Sequence, residues 1–298
     1  MRFSYARSRP TLECNTTMEY NNTMEYKSFT ISTWNIQGLR SNTFGTKSRN
    51  PDFTREIANT DIIILQETWH RGDSPTGCPA SYRELVVPST KLTGVKQGRD
   101  SGGMLIWFKT ELTHAIKQIK IGPFFIWLEI NKSLTSTEKN VFLCATYIPP
   151  IESPYFKDDM FATLEEDITY FQASGQIIVC GDLNARTGQV ADTLNPQGDK
   201  HLPGIGNILS PLLPPRLNYD KATNNHGSQL LQLCRSLGLY IANGRSRGDS
   251  YGRYTHSSSK GNSTVDYFIT DINVESLRAF TVSQLTPLSD HSKTRIFL

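Results

Sequence analysis

Apolar runs that close in short polar clusters recur along the chain, and their periodicity predicts most of its secondary structure. Residues 29–33 alternate between apolar and polar positions, as expected of a β-strand with one buried face. Residues 61–66 form a largely apolar, β-branched run, which is typical of a strand covered on both faces. The same criteria predict further strands at residues 103–108, 112–119, 124–130, 140–148, 176–181, 240–243, 265–270, 280–282 and 294–298.

Few segments show the 3.6-residue spacing of a helix. Residues 51–59 predict a short helix, because Asn50 can cap its amino terminus. Residues 157–171 and 226–237 have apolar side chains at helical spacing, and Gly238 marks the end of the second segment. Many strands with few helices predict an α/β (α+β) fold, in which two packed mixed β-sheets are flanked by helices.

Two segments fall outside this regular pattern. Residues 188–219 are rich in Pro, Gly and Asn, which predicts a long loop or insertion. Residues 1–27 contain two near copies of a polar hexapeptide, at 15–20 and 21–26, and predict a disordered leader. We therefore expect one folded domain, residues 28–298.

Composition and charge narrow the class of protein. With 37% hydrophobic and 20% charged residues, the composition is that of a soluble globular protein. The formal net charge of +3 gives no strong overall attraction to nucleic acid. Basic residues do gather in two loops, where they could contact backbone phosphates or simply face solvent. The first loop contains Lys91, Lys96 and Arg99, and the second contains Arg245, Arg247, Arg253 and Lys260.

The cysteines and the hydropathy of the chain bear on its compartment. The cysteine count of 5 is odd and no C-x-x-C occurs, which favours free thiols in a reducing compartment over disulfides or a zinc site. The first residues lack the apolar core of a signal peptide, and no apolar run approaches the ~20 residues needed to span a bilayer. We expect an intracellular protein, nuclear or cytoplasmic, that is not secreted and has no membrane partner.

Acidic and amide side chains lie at or near the ends of several predicted strands. The carboxylates are Glu67, Asp182, Asp266 and Asp290, the amides are Asn35 and Asn184, and His291 directly follows Asp290. Because the strand ends of an α/β fold meet at one crevice, we expect these groups to converge. Hard oxygen ligands without a Cys/His pair suit Mg²⁺, with Mn²⁺ as an alternative. The adjacent Asp and His supply a group that titrates near neutrality.

Each cluster taken alone has a simpler interpretation. Residues 181–184 could form an ordinary turn, Glu67 could be an isolated carboxylate at a sheet edge, and residues 289–291 could cap a helix. Ser289 lacks the G-x-S-x-G surroundings of a serine nucleophile. The ordered occurrence of all the clusters favours a functional site. Four other histidines have no ligand spacing, and we expect them to be structural or solvent-facing: His114, His201, His226 and His256.

The chain resembles the endonuclease/exonuclease/phosphatase superfamily in six ordered motifs. These are T-W-N-I-Q-G-L at 33–39, L-Q-E-T at 65–68, A-T-Y-I-P-P at 145–150, G-D-L-N-A at 181–185, V-D-Y at 265–267 and S-D-H at 289–291. More narrowly, residues 226–245 and 248–271 are similar to the apurinic-type endonuclease domain of non-LTR retrotransposons. The resemblance covers residues 28–298 and implies a four-layer α/β sandwich and metal-dependent phosphodiester hydrolysis.

The resemblance also implies a metal site. Glu67 matches the main metal carboxylate of the superfamily, and Asn35 and Asp290 match residues in the metal's surroundings. The implied cofactor is Mg²⁺, with Mn²⁺ possible, and the number of metal ions is left open.

The remaining matched positions are implied to act on the phosphate. His291 matches the histidine beside the scissile phosphate, oriented by Asp266. Asp182 matches the group that positions or deprotonates the attacking water, or alternatively protonates the leaving oxygen. Asn184 and Tyr147 match donors to the phosphate oxygens. Such chemistry depends mostly on positioning and on stabilising charge at the non-bridging oxygens.

Three departures from the pattern of the repair endonucleases bear on the substrate. Gln37 replaces an acidic residue near the metal, Pro150 replaces an asparagine, and residues 263–265 lack the tryptophan of the abasic-sugar pocket. We therefore expect nicking of ordinary duplex DNA rather than specialised abasic-site cleavage. Residues 265–267 also lack the Cys-Asp-Arg segment of the family's inositol phosphatases.

The sequence thus predicts a Mg²⁺-dependent DNA endonuclease that leaves 3′-hydroxyl and 5′-phosphate ends. It is expected to contact DNA through the phosphate backbone, with no obligate protein partner evident. A phosphodiesterase acting on RNA or a phospholipid headgroup, and a catalytically silent nucleic-acid-binding remnant, are alternatives. Because the sequence ends soon after His291, we expect no reverse transcriptase domain to follow. A stand-alone protein, a fragment and a truncated retroelement product all fit that end.

Overall fold

The computed structural model describes residues 28–91, 100–194 and 213–298. The predicted leader, residues 1–27, and the central part of the predicted 188–219 insertion lie outside the described residues. The described flanks of that insertion, 188–194 and 213–219, contain no helix or strand, as expected.

Two six-stranded sheets form the body of the fold. The strands are β1 (Thr30–Asn35), β2 (Arg40–Ser41), β3 (Gly45–Thr46), β4 (Ile62–Gln66), β5 (Tyr82–Val87), β6 (Met104–Lys109), β7 (Ile116–Ile121), β8 (Phe125–Ile130), β9 (Val141–Tyr147), β10 (Gln176–Asp182), β11 (Tyr240–Ile241), β12 (His256–Ser258), β13 (Gly261–Ser263), β14 (Asp266–Thr270), β15 (Ala279–Val282) and β16 (Thr294–Phe297). The helices are α1 (Pro51–Ile57), α2 (Lys132–Thr135), α3 (Met160–Gln172) and α4 (Asn225–Leu237), with 3₁₀ turns at Lys47–Arg49 and Thr110–Ala115.

Both sheets are mixed and contain one parallel pair at their centre. The first sheet has the order β15-β16-β1-β4-β6-β5, and the second has the order β11-β14-β10-β9-β8-β7. Strands β1 and β4 are parallel, as are β9 and β10, while the other neighbours are antiparallel. The central parallel pairs place the carboxyl ends of four strands at the same edge of the molecule, which is where the predicted site residues lie.

Alternate residues along each central strand face different layers. Ile62 and Ile64 of β4 pack in the core between the two sheets, whereas Ile63 and Leu65 face the layer that contains Phe53 of α1. Helices α3 and α4 cover the outer face of the second sheet in the same way. The predicted four-layer sandwich of two mixed sheets flanked by helices is therefore confirmed, and β4 is buried on both faces, as its continuous apolar run predicts.

The helix-end signals in the sequence have the expected structural counterparts. The side chain of Asn50 accepts a hydrogen bond from the backbone N–H of Asp52, with Pro51 at the first position of α1. Gly238 ends α4 with a left-handed φ of 66°.

One expectation about secondary structure was wrong, and some strands were not predicted. The strand predicted at 112–119 begins only at Ile116, because residues Thr110–Ala115 form a 3₁₀ turn that carries the chain from β6 to β7. Strand β5 and the β12-β13 hairpin were missed. The residues of β5 are mostly half-buried and include Arg83 and Glu84, so their apolar signal is weak.

Gly181 shows how closely the two parallel strands of the second sheet approach each other at the site. Its φ is 145°, and a Cβ atom there would lie 1.9 Å from the carbonyl oxygen of Thr146 on β9 and 2.8 Å from Nε2 of Gln66. We expect Gly181→Ala to lower the free energy of unfolding by about 3 kcal/mol, since strain and a backbone clash add. Urea denaturation measures the effect.

Gly238→Ala is the control for this substitution. Gly238 also has a positive φ, 66°, but a Cβ atom there would meet nothing within 4 Å. Its substitution should therefore cost only the left-handed strain, about 1 kcal/mol. Equal losses for the two variants would show that the approach of β9 to β10 does not require glycine.

None of the helices in the part of the chain that the structure describes is both long and apolar enough to cross a bilayer.

Candidate active site

The predicted site residues converge at one edge of the sandwich. Asn35 ends β1 and Glu67 directly follows β4, while Tyr147 ends β9 and Asp182 ends β10. Asp266 begins β14 and lies directly opposite Asp182 in the antiparallel register. Because the two central pairs are parallel, groups far apart in sequence meet at this edge.

Asn35 joins the two sheets at the centre of the site. Its Nδ2 donates hydrogen bonds to Oε1 of Glu67 at 3.1 Å and to Oδ2 of Asp182 at 2.8 Å. Its Oδ1 accepts the backbone N–H of Gln37 at 3.1 Å. The fully buried amide therefore fixes the carboxylates of two different sheets relative to each other.

Glu67 lies on the half-buried rim of the site. The hydroxyl of Tyr147 donates to its Oε1 at 2.8 Å, and Nε1 of Trp69 donates to its Oε2 at 3.2 Å. Its φ is 47°, and Gln37 and Asn184 nearby in the site have φ values of 46° and 48°. Non-glycine residues rarely adopt this region, and strained positions of this kind concentrate at functional sites.

Asp182 is almost fully buried, with 1% exposure. Burial raises the pKa of its carboxyl to about 7, and the neighbouring charge of Asp266 adds to the increase. The positive His291 and hydrogen bonds from Asn184 and Asn35 act in the opposite direction. A carboxyl with a pKa near neutrality can either accept or donate a proton at working pH.

His291 is held between carboxylates. Its Nδ1 lies 3.0 Å from Oδ2 of Asp266, and its Nε2 lies 3.9 Å from Oδ2 of Asp182. Burial alone would lower the pKa of this imidazole, but Asp266 first, then Asp182 and Asp290, raise it to about 10. Asp266 therefore orients the ring and keeps it positively charged.

The segment that contains His291 is bound to the end of β1. Nε1 of Trp34 donates to the carbonyl of His291 at 2.8 Å, and Oγ of Ser289 donates to the carbonyl of Asn35 at 2.7 Å. Ser289 also accepts the backbone N–H of His291 at 3.1 Å. The helix-cap interpretation of residues 289–291 is thus wrong, because no helix follows them and β16 begins at Thr294.

Asn184 follows β10 and lines a cavity beside His291. Its Nδ2 donates to the carbonyl of Ile148 at 2.9 Å, and its own carbonyl accepts Nδ2 of Asn224 at 2.9 Å. An amide group has two N–H donors, so a second remains for a further acceptor.

His256 is a member of the site that the sequence interpretation missed. Its Nε2 lies 3.4 Å from Oδ2 of Asp290, and its ring centroid is 4.7 Å from that of His291. The sequence analysis expected His256 to be structural or solvent-facing and did not place it beside Asp290 and His291. No spacing rule reveals it, because it approaches through an isolated β-bridge to His291, 35 residues further along the chain.

Lys47 was also missed, and it supports the loops that contain Gln37 and Asp290. Its buried Nζ donates to the carbonyls of Ile36 and Leu288, the latter at 2.5 Å. Burial lowers the pKa of Lys47 to about 8, and the negative charge of Asp290 acts against that decrease. Lys47 therefore links the residue that follows β1 to the residue that precedes the 289–291 segment.

The basic residues of the two loops divide into exposed and buried ones. Arg245 is not available to a ligand, because its guanidinium is buried against Asp192 and over the ring of Tyr240. Four of the others are exposed: Lys91, Arg247, Arg253 and Lys260. Lys96 and Arg99 lie outside the described residues.

A cavity of about 440 Å³ opens beside the edge of the sandwich at which the predicted site residues converge. His256, His291 and Asn184 line it, together with Pro150 and Val265, two of the positions at which the sequence departs from the repair endonucleases. These two departures therefore lie on the wall next to the site, whereas the third, Gln37, lies beside Asp290.

Three of the predicted site residues carry oxygen donors that could bind a divalent cation. Glu67, Asp290 and the amide oxygen of Asn35 are hard ligands of the type that Mg²⁺ prefers. Although burial raises the pKa of Asp290, His256, His291 and the carboxamide of Gln37 hold it below its ordinary value. Oδ1 of Asp290 is buried and has no hydrogen-bond partner among the described residues. An uncompensated carboxylate oxygen fits a cation ligand.

Several solved structures share the fold of this chain. An AP endonuclease from Leishmania major is 14% identical, with a TM-score of 0.63 over 91% of this chain and 87% of that chain. A 3′ phosphatase from Neisseria, bound to a product DNA hairpin, is 17% identical, with a TM-score of 0.57 over 90% and 98%. The catalytic domain of human nocturnin, with bound sulfate, is 18% identical, with a TM-score of 0.55 over 91% and 94%. At these identities the likeness establishes the fold.

Comparison by sequence identifies a protein family but no similar curated protein. No curated protein matches the chain significantly. The model of the endonuclease/exonuclease/phosphatase family matches residues 32–291, a stretch that begins in β1 and ends at His291. It therefore includes every residue of the converging site described above. The chain belongs to the endonuclease/exonuclease/phosphatase family.

Proposed function

We propose that this protein is a Mg²⁺-dependent endonuclease that nicks duplex DNA and leaves 3′-hydroxyl and 5′-phosphate ends. One observation supports the proposal above all others: a continuous chain of contacts runs from Glu67 through Asn35 and Asp182 to His291. It joins an oxygen-donor region to a positively charged imidazole across both sheets. Phosphodiester hydrolysis needs such a combination at one site.

The cation would be held by Glu67 and Asp290, with Asn35 beside them. Bound there, Mg²⁺ would supply positive charge to a phosphate oxygen. Hydrogen bonds from Tyr147 and Trp69 orient Glu67, and the 289–291 segment fixes Asp290. The oxygen chemistry of these side chains suits a hard cation that keeps several of its waters.

Asp182 and His291 would act on opposite sides of the scissile bond. With a pKa of about 7, Asp182 can orient and deprotonate the attacking water, or alternatively protonate the leaving oxygen. The charged His291 can stabilise negative charge on a non-bridging oxygen, since Asp266 keeps it protonated. The remaining N–H of Asn184 can donate to the same phosphate.

In this structure the hydroxyl of Tyr147 donates to Glu67. Its role is therefore better described as orienting a cation ligand than as donating to the phosphate. A direct contact of Tyr147 with the phosphate stays a prediction, as do the roles of the other site residues.

The choice of DNA as substrate has two supports. Among proteins of the same fold, one is an AP endonuclease and another is bound to a DNA hairpin. Arg247, Arg253 and Lys260 are exposed on the 245–260 region, next to His256 at the site. Basic side chains at such a rim can contact backbone phosphates without reading sequence.

We further propose a retrotransposon origin, on the resemblance of residues 226–245 and 248–271.

Nicking of supercoiled plasmid tests the proposed function. Purified protein should convert the plasmid to the open circle with Mg²⁺, and EDTA should abolish the conversion. Glu67→Ala should lower the rate by about 10³-fold or more, because a cation ligand and its charge are lost. End mapping should give 3′-hydroxyl and 5′-phosphate termini.

Glu129→Ala is the matched control for this variant. Glu129 is half-buried and accepts a hydrogen bond from an asparagine amide, as Glu67 does, but it lies on β8 away from the site. Its substitution should leave nicking intact. Full activity of Glu67→Ala would contradict the proposal. A strong preference for labelled RNA or a phospholipid headgroup would show that DNA is not the substrate. Nucleic-acid binding without turnover in any divalent metal would favour a catalytically silent remnant.

A further inference from the structure

His256, Asp290 and His291 bring three potential metal ligands together beside the oxygen donors. One ligand atom from each of these side chains lies within 4.8 Å of the other two. Nε2 of His256 is 3.4 Å from Oδ2 of Asp290, and Nε2 of His291 is 3.8 Å from Oδ1 of Asp290. The carboxylate therefore presents one oxygen to each imidazole.

These separations are close to those of a tetrahedral metal site. With metal–ligand bonds of about 2.1 Å, two ligands of a tetrahedral Zn²⁺ ion lie about 3.4 Å apart. The His256–Asp290 separation already has this value, and the His291–Asp290 separation exceeds it by a few tenths of an ångström. A small rotation of the half-buried Asp290 side chain would close the difference.

The outer nitrogen of each imidazole is anchored in the way that metal-binding histidines usually are. Nδ1 of His291 lies 3.0 Å from Asp266, and Nδ1 of His256 lies 3.2 Å from Oγ of Ser263. Such contacts fix the tautomer and turn the other nitrogen towards the ion. Both Nε2 atoms consequently face Asp290, as a shared ligand position requires.

The surroundings favour a cation and give it access. Oδ1 of Asp290 has no hydrogen-bond partner among the described residues, and Oδ2 of Asp182 lies 3.9 Å from Nε2 of His291. The negative charge that favours a proton on His291 favours a metal ion for the same reason. Both histidines line the cavity of about 440 Å³, which offers a path from solvent and a position for a water ligand.

We infer that His256, Asp290 and His291 form a site for a transition-metal ion of the Zn²⁺ type. Imidazole ligands suit Zn²⁺ and its neighbours in the first transition row, whereas Mg²⁺ prefers oxygen alone. The site is distinct from the oxygen-donor site of Glu67 and Asn35, and it shares only Asp290 with it. Without a metal, the same geometry would amount to a simple ion pair between His256 and Asp290.

Metal titration of the full chain, purified without a histidine tag, separates the two possibilities. Zn²⁺ added in competition with a chromogenic chelator should bind at one ion per chain, and His256→Ala should weaken that binding by at least about 100-fold. Co²⁺ should give the visible absorption bands of four-coordinate nitrogen and oxygen ligation in the wild type only. Unchanged Zn²⁺ affinity in His256→Ala, or no binding to the wild type, would overturn the inference.

Two further variants make the result specific. His114→Ala removes an exposed histidine in the 3₁₀ turn before β7, and it should bind Zn²⁺ like the wild type. Glu67→Ala should also bind Zn²⁺ normally, although it is expected to lose Mg²⁺-dependent nicking. Loss of Zn²⁺ binding in Glu67→Ala would show that the ion occupies the oxygen-donor site instead.

The inferred site has a consequence that rests on the proposed function. A metal ion on Nε2 of His291 removes that nitrogen from the scissile phosphate. Micromolar Zn²⁺ should therefore inhibit nicking at saturating Mg²⁺. The same Zn²⁺ concentration should inhibit His256→Ala less than the wild type. Equal inhibition of both proteins would contradict this consequence, whereas absence of nicking in either would bear on the proposed function alone.

Discussion

Asp182→Asn is expected to lower the rate of plasmid nicking by on the order of 10³-fold. The amide keeps the size of the side chain but cannot take a proton from water or give one to the leaving oxygen, and general acid–base catalysis contributes 10²- to 10⁴-fold. Substrate binding should change little, because Asp182 is buried behind Asn35 and Asn184. The loss should therefore appear in kcat, measured under single-turnover conditions.

The stability of the same variant distinguishes loss of chemistry from loss of fold. The pKa of Asp182 rises from 3.8 in the unfolded chain to about 7 in the folded protein, so its contribution to stability is present below pH 3.8 and is lost as the pH rises to 7. The amide does not titrate. The difference in free energy of unfolding between the variant and the wild type should consequently shift in favour of the variant from pH 4 to pH 7, as followed by urea denaturation of metal-free protein.

Asp271→Asn is the matched control. Asp271 also has a pKa that burial raises, and it accepts the backbone N–H of Ile177 at the opposite end of the β10–β14 pair. Its substitution should leave the nicking rate within about twofold of the wild type. Comparable losses in both variants would show that nicking is sensitive to any change in this strand pair, and the assignment of Asp182 would fail.

The central strands and the convergence of the site could be predicted from the sequence because one physical signal determines both. A strand covered on both faces must be continuously apolar, and the first polar residue after it lies at the edge of the sheet. Glu67 after β4 and Asp182 at the end of β10 follow this rule. The order of the strands in the sheets and their parallel pairing do not follow from periodicity, and the sequence analysis did not predict them.

The features that the sequence analysis missed depend on contacts between distant loops. His256 lies on a short, half-buried hairpin strand, and nothing in its neighbours distinguishes it from a surface histidine. In the sequence, Lys47 cannot be distinguished from a solvent-exposed lysine. Its Nζ is surrounded by the carbonyls of Ile36 and Leu288 only in the folded chain. Arg245 was grouped with solvent-facing basic residues, yet the buried Asp192 that pairs with it is 53 residues away. Such pairings require the folded chain.

Asp266→Asn should reduce nicking at pH 8 by about 10²- to 10⁴-fold and should move the pH profile of the remaining activity. With Asp182 as the base of the proposed mechanism, kcat/KM of the wild type should rise through about pH 7 as Asp182 ionises and fall through about pH 10 as His291 loses its proton. Asp266 contributes to raising both pKa values. Its neutral replacement therefore lowers the pKa of His291 and leaves a smaller fraction of the imidazole charged at pH 8, and the amide can also favour the wrong tautomer of the ring.

Both limbs of the profile should shift to lower pH together in Asp266→Asn, because the one negative charge that raises the pKa values of both Asp182 and His291 has been removed. Measuring kcat/KM from pH 5.5 to 10.5 at saturating Mg²⁺ and constant ionic strength tests this. His291→Gln, which cannot be protonated, should instead lose the alkaline limb and retain the acidic one. A uniform loss of activity in Asp266→Asn, with both limbs unmoved, would mean that Asp266 only orients the imidazole and does not set its charge.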